Sequence, residues 1–250
     1  MIFDPPLEKA TLVKRYKRFL ADVEHPSKGS FTAHCPNTGS MKNCWQPGWN
    51  VWLQDSQNLK RKYRYTWVLA ENPAGEFIGI NSQGANRLVF DAISEGKITE
   101  LSDVEAVETE VKYGEGNSRI DILVTDSKQS KTYIEVKSVT LKGIPDENGH
   151  LNEVKDNEGR AKGCFPDAVT TRGQKHIREL MHCASQGHRA ILFFLVQHTG
   201  IETVEIAQSI DPDYAQLIKE ALSNGVEVIA YCTEITPTSI KVSHSIPFCI

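Results

Sequence analysis

Residues 118–141 read SRIDILVTDSKQSKTYIEVKSVTL, and this stretch decides how the C-terminal part of the chain is understood. Two runs alternate apolar and polar residues at period two, as half-buried strands do. Asp126–Ser130 between them has turn composition, so a tight hairpin should set the two strands side by side. Along the second run Glu135 and Lys137 share one face, with Ile134 and Val136 on the other. Asp121 is flanked by Ile120 and Ile122, so its carboxylate is expected to face away from that apolar side. Asp121, Glu135 and Lys137 then converge on one patch. Two carboxylates can hold Mg2+ or Mn2+ through oxygen, and such a metal activates water and stabilises charge on phosphorus. The lysine would orient the nucleophile or neutralise charge. A plainer reading stands beside this one: amphipathic strands often alternate charge with apolar residues, and Lys137 is then simply the counterion of the two acids.

Working outward, 85–97 (ANRLVFDAISEGK) places Leu88, Ala92 and Ile93 at helical spacing, with Gly96 as a stop. Strands are expected over 104–113, 118–126 and 131–141. The segment 142–164 is rich in Asp, Glu, Asn and Gly and reads as a mobile surface loop. Thr170 or Thr171 can cap a helix that runs to Gln186, ended by Gly187. The run 190–197 (AILFFLVQ) is apolar on both faces, as a central strand covered by helices should be. Asp211-Pro212 opens a helix to Ser223, and strands at 226–235 and 239–246 follow. The order αβββαβαβ implies a mixed sheet flanked by helices. Upstream, strands at 10–24, 30–34, 50–55, 63–71 and 76–80 are separated by Pro, Gly and Asn turns. Short strands at this density suit a small OB-like β-barrel. The fold class expected is therefore α/β (α+β), with an OB-like domain over 1–82 and a mixed-sheet domain flanked by helices over 83–250.

Forty per cent of the 250 residues are hydrophobic and 24% charged, which excludes a disordered or fibrous chain. The net charge of −4 conceals an asymmetry. Residues 1–70 hold 11 Lys and Arg against 5 Asp and Glu, whereas residues 71–250 hold 17 against 27. In the basic module, Lys14, Arg15, Lys17 and Arg18 surround Tyr16, and Lys60, Arg61, Lys62 and Arg64 interleave with Tyr63 and Tyr65. Such surfaces hold phosphates and stack bases. Trp45, Trp49 and Trp52 are read as filling the barrel core. His34, Cys35 and Cys44 lack zinc spacing. The six cysteines form no C-x-x-C pair, the start has no signal-peptide pattern, and no apolar run is long enough to span a membrane. These features lead us to expect a cytoplasmic protein without a membrane partner or small-molecule cofactor.

Several longer motifs share one resemblance. They are His34-Cys35-Pro36-Asn37-Thr38-Gly39-Ser40-Met41, Lys60-Arg61-Lys62-Tyr63, Val111-Lys112-Tyr113-Gly114, Ser118-Arg119-Ile120-Asp121, 133–141 and 165–176. Together they resemble the sugar fermentation stimulation protein A family, from the N-terminus to about Glu234. The D-x13-E-x-K hairpin is similar to the PD-(D/E)xK nuclease superfamily. The resemblance implies an OB-like domain followed by a restriction-endonuclease-like domain. It further implies sequence-tolerant DNA binding and a regulatory link to maltose metabolism, and it leaves room for a homodimer. Carried across, the nuclease-like positions fall on Asp121, Glu135 and Lys137, with Asp91 as the acid of the preceding helix and Glu110 as its alternative. Arg172 and His176, four apart on one helix face, would reach DNA; they could equally be a helix turn packed on Phe165-Pro166. The family's connection where 142–164 stands is usually much shorter.

Overall fold

The computed structural model describes residues 1–82, 84–113, 118–146 and 151–250. Its first sheet comprises β1 (Glu8–Tyr16), β2 (Leu20–His25), β3 (Gly29–His34), β4 (Asn50–Asp55), β5 (Tyr65–Glu71) and β6 (Phe77–Gly79). The strand order is β3-β2-β1-β4-β5-β6, and a parallel contact between His34 and Thr66 closes β3 onto β5 as a barrel. Alternation explains the closure. Val51 and Leu53 of β4 and Trp67 of β5 point inward with Leu12, Val23 and Ala33, and all are buried. Trp67 satisfies its indole N–H on the Leu69 carbonyl at 2.8 Å. Trp45 and Trp49 only pack against this core, and Trp52 packs against a different cluster, so the expected tryptophan filling belongs to Trp67 instead.

The single strand expected over 10–24 is two strands. The chain reverses through Lys17 and Arg18, whose φ angles are 50° and 65°. Neither residue type signals a turn, so the left-handed pair is invisible in the sequence.

The second sheet follows α1 (Gly84–Ser94) and begins with β7 (Val104–Tyr113), β8 (Ser118–Asp126) and β9 (Lys131–Val139). Then come the short β10 (Leu141–Lys142), β11 (Ile144–Pro145), β12 (Leu151–Asn152) and β13 (Lys162–Phe165). They are followed by α2 (Thr171–Ser185), β14 (Arg189–Val196), β15 (Thr203–Ile206), α3 (Pro212–Ser223), β16 (Val226–Thr236), β17 (Ser239–Ser245) and β18 (Phe248–Cys249). The main order is β17-β16-β14-β9-β8-β7, with β14 parallel to both β9 and β16 and the other pairs antiparallel. This is the mixed sheet expected. β14 is buried on both faces: Ile191, Phe193 and Leu195 meet α1, while Leu192, Phe194 and Val196 meet α2 and α3. The Thr170 hydroxyl caps α2 by accepting the Gly173 N–H at 3.0 Å. Asp211 caps α3 through Tyr214 N–H at 2.9 Å and also takes Gln174 of α2.

The segment expected to be a plain surface loop is partly strand. β10 pairs with β13, β13 pairs with β15, and β15 pairs with β18, making a small sheet beside the main one. Strands of two to four residues carry too little periodicity to be read. Residues 147–150 of that segment lie outside the described residues.

Barrel and second sheet are joined by backbone. Ile78 bridges His198, Gly79 N–H donates to the Gln197 carbonyl at 2.8 Å, and Thr199 N–H donates to Phe77 at 2.9 Å. Lys142 pairs with Glu76 at 2.7 Å across the same seam.

Candidate metal and nucleic-acid site

The β8–β9 ladder runs from Thr125 opposite Lys131 to Ile122 opposite Ile134. At the next position the Asp121 carboxylate takes over the role of a backbone carbonyl: Oδ2 accepts the Val136 N–H at 2.8 Å. Its Oδ1 accepts Asn86 Nδ2 of α1, also at 2.8 Å. Glu135 is 1% exposed. Its Oε1 accepts Lys137 Nζ at 2.6 Å and contacts His176 Nδ1 of α2. Arg172 Nε donates to His176 Nε2 at 3.4 Å, so the ring proton sits on Nδ1 and points at Glu135. Glu135 Oε2 is buried and has no hydrogen-bond partner.

The two acids titrate in opposite directions. Burial, then the charge of Glu135, pushes Asp121 up to about 6. Burial also pulls Glu135 upward, but the His176 hydrogen bond and the Lys137 charge outweigh it, and its carboxyl falls below the usual range. Glu135 is therefore the resident anion, and Asp121 takes up the first proton.

Asp121, Glu135 and Lys137 do come together, by a different route at Asp121 from strand parity. Ile120 packs under α2 and α3 while Ile122 packs under α1, so the two flanking residues do not share a face. The twist falls opposite Glu110, whose φ is 56° and whose side chain is exposed. Asp91 is not brought to the patch. It pairs with Arg87 at 2.8 Å and lines a separate hollow with Leu88 and Lys241. At 100° per residue it points about 140° away from Asn86, the α1 residue that does reach Asp121. Sequence reasoning missed Asn86 because a short polar side chain at a helix start reads as a cap.

His176 is 8% exposed and belongs to the carboxylate cluster, not to an outer DNA face, whereas Arg172 is exposed beside it. Arg15 is half-buried, and its Nη2 donates to the carbonyls of Asn37 and Gly39, so it holds a loop instead of facing solvent. Lys14 pairs with Asp22 at 3.4 Å, and Arg64 grips Asp55 through two bonds of 2.5 and 2.7 Å. Arg18, Lys60, Arg61 and Lys62 are exposed, the last three in the connection between β4 and β5. Lys62 lies over the Tyr63 ring.

Among the described residues no three His, Cys, Asp or Glu side chains are grouped to hold a metal. The protein's own offer is two carboxylates, one with an unpartnered buried oxygen. That fits a hard cation such as Mg2+, which binds through one or two carboxylates and keeps waters or substrate oxygens for its other positions.

A closed barrel joined to a helix-flanked mixed sheet, with paired acids and a lysine on its hairpin, defines a two-module class. A family model described as "Sugar fermentation stimulation protein RE domain" matches residues 83–239, and one described as "SfsA N-terminal OB domain" matches residues 13–80. The chain belongs to the sugar fermentation stimulation protein family. Homologues of that name from Shewanella sp. (strain MR-4), over 247 residues, and Shewanella woodyi, over 252, are each 52% identical and aligned across 99% of both chains. The solved structure titled "The structure of Pyrococcus Furiosus SfsA in complex with Ca2+" superposes with a TM-score of 0.81 at 25% identity, covering 100% of this chain and 98% of that one.

Proposed function

We propose that this protein binds nucleic acid with little sequence preference, and that Asp121, Glu135 and Lys137 are a divalent-cation site for phosphodiester hydrolysis. The observation that carries this reading is the buried, unpartnered Oε2 of Glu135, beside a carboxyl driven up by burial and by its neighbour's charge. Natural proteins rarely leave a buried charged oxygen unsatisfied without a use for it. The Pyrococcus furiosus relative was solved in complex with Ca2+, and Ca2+ and Mg2+ share a preference for oxygen ligands. Bound Mg2+ or Mn2+ would supply Lewis-acid activation of water and of the phosphodiester.

The chain's own residues then divide the work. Asp121 and Glu135 supply the carboxylate oxygens, and Lys137 places a cation beside the reacting charge. Arg172 and the Arg18 and Lys60–Lys62 surfaces hold backbone phosphates, which carry no sequence information. Six free cysteines suit a reducing compartment, the cytoplasm; among the described residues no helix is long and apolar enough to cross a membrane. Purified protein on labelled DNA and RNA, with EDTA or with Mn2+, tests the reading. We expect metal-dependent cleavage that is lost in Asp121→Asn and Lys137→Ala, while binding persists.

One observation favours a second reading. Lys137 already neutralises Glu135, and His176 hydrogen-bonds it, without any metal. On that basis the site is a scaffold of nuclease-like ancestry, and the protein is a DNA-binding regulator of sugar (maltose) use. Binding that ignores metal, with no cleavage of any DNA or RNA form, would select it.

A further inference from the structure

Between the barrel and the second sheet lies a cleft of ≈ 250 Å³, lined by Asn37, Thr38, Ser82, Ser138, Thr140 and Asp167 among others. Ser138 follows Lys137 on β9, and Ser82 precedes α1, the helix that carries Asn86.

Its polar groups are arranged to donate. Arg15 turns the carbonyls of Asn37 and Gly39 toward itself, at 2.9 and 3.0 Å. In a trans peptide the N–H points opposite to the C=O, so the N–H groups of Thr38 and Ser40 are turned away from Arg15. Between them the Gly39 N–H is taken by Asn37 Oδ1 at 2.8 Å, so the loop offers an anion two alternate N–H groups, those of Thr38 and Ser40. Across from them, Ser138 Oγ accepts from Gln197 Nε2 at 2.7 Å, and Thr140 Oγ1 accepts from the Cys44 thiol at 3.4 Å. Each hydroxyl is occupied as an acceptor from behind. Among the described residues neither proton has a recipient, so both are left to donate into the cleft. One acceptor faces them: Asp167, whose Oδ2 is held by the Ser40 hydroxyl from the barrel side. Leu141 and Phe165 add apolar wall.

We propose that this cleft seats one nucleotide. The phosphate is held by the Thr38 and Ser40 N–H groups and the Ser138 and Thr140 hydroxyls, and Asp167 accepts from a sugar hydroxyl or base amino group. Charge alone argues against a bare anion, because Asp167 would repel it; a nucleotide carries both the acceptors and the donor that the walls require. The cleft is too narrow for a duplex, so the nucleotide comes from an unpaired strand passing between the modules or from a free mononucleotide. This deepens the nucleic-acid reading above by naming where one nucleotide sits, and it needs no metal.

The test uses the full chain in EDTA, titrated by calorimetry with 5′-dAMP, inorganic phosphate and a short oligodeoxyadenylate. 5′-dAMP should bind more tightly than phosphate. Ser138→Ala with Thr140→Val should weaken 5′-dAMP about tenfold, the loss of two net hydrogen bonds. Asp167→Asn should weaken 5′-dAMP and strengthen phosphate, because it removes the acceptor and the repulsion together. Ser138→Ala alone, which leaves the Cys44–Thr140 contact in place, should show about half of that loss on a logarithmic scale, with an unchanged circular dichroism spectrum. Oligodeoxyadenylate that displaces 5′-dAMP assigns the nucleotide to a strand; 5′-dAMP that binds undisplaced assigns it to a free mononucleotide. The proposal is overturned if 5′-dAMP affinity ignores all three variants, or if neither 5′-dAMP nor the strand responds to the double variant. Cleavage with Mn2+ in the separate assay distinguishes the two ideas. Cleavage without any effect of the cleft variants sinks this inference alone, and cleft binding without cleavage sinks only the hydrolytic reading.

Discussion

The Asp121 carboxylate accepts the Val136 N–H at 2.8 Å, one step beyond the last paired residues of β8 and β9. A side chain thereby replaces a ladder bond at the point where the two strands part. The substitution keeps Asp121 inside the sheet, where burial and the Glu135 charge act on it together. Glu135, one residue before Val136, is stabilised as an anion by His176 and Lys137. One patch thus contains an acid that resists charge and an acid that depends on it.

That contrast gives opposite stability effects. Asp121 is raised from 3.8 to about 6, so between those values the native state holds a proton that the unfolded state has lost. Its contribution to stability therefore falls as pH rises through that window. Asp121→Asn should stabilise the protein by about 1–3 kcal/mol at pH 8, and the gain should fade below about pH 4. Glu135→Gln leaves the partly buried Lys137 without its anion and breaks the carboxylate–His176 contact, and should cost about 3 kcal/mol at pH 8. Urea denaturation of both variants decides it; shifts of the same sign would refute the assignment.

Cation binding should compete with the Asp121 proton. Mn2+ or Mg2+ should raise the melting temperature, by an amount equivalent to about 2.7 kcal/mol at a hundred times Kd. The rise should grow between pH 5 and pH 7 as Asp121 gives up its proton, and it should be absent in Asp121→Asn. A pH-independent rise would place the cation elsewhere.

Lys60, Arg61 and Lys62 are exposed, so their loss should remove phosphate contacts and little else. Each Ala substitution that removes a contact should flatten the log–log salt dependence by about 0.9 on duplex and 0.7 on single strands. Arg15→Ala should behave differently, because it releases the 37–39 loop and so deforms the cleft. An unchanged salt slope in the triple Lys60, Arg61, Lys62 variant would move the footprint off this connection.

His198 bridges barrel and sheet at Ile78 and is pushed down to about 4 by burial. Glu76 and Glu153 oppose that shift, and Lys142 adds to it. With a native value below the ordinary 6.5, the unfolded state binds the proton first, and stability is lost as pH falls from about 6.5 to about 4. The loss should reach about 2–3 kcal/mol. His198→Asn, which retains an acceptor for the Gly200 N–H now bonded at 3.0 Å, should lose correspondingly less between pH 7 and pH 4.5. Equal losses in the two proteins would count against His198 as the source.

What lay within reach of sequence was whatever neighbours along the chain encode. The Asp126–Ser130 turn appears as expected, with Asp126 N–H bonded to Ser130 O at 3.1 Å and Glu135 and Lys137 ion-paired on one face. The α2 and α3 caps, the doubly buried β14 and the barrel strands from β3 onward were legible for the same reason: period and capping chemistry act over a few residues. Tertiary structure alone decided the partners. Asn86 reaches Asp121 across 35 positions, and His176 reaches Glu135 across 41. Both pairings depend on strand order and on the twist at Asp121 that sends Ile120 and Ile122 to different cores. Arg15 became a loop clamp and Asp91 an ion-pair partner for Arg87 because the helix phase and barrel closure set where those side chains point. The cleft, too, exists only where the 36–40 loop of the barrel meets the end of β9. A one-dimensional pattern specifies which face a residue takes, but which other face it meets is settled by how the layers pack.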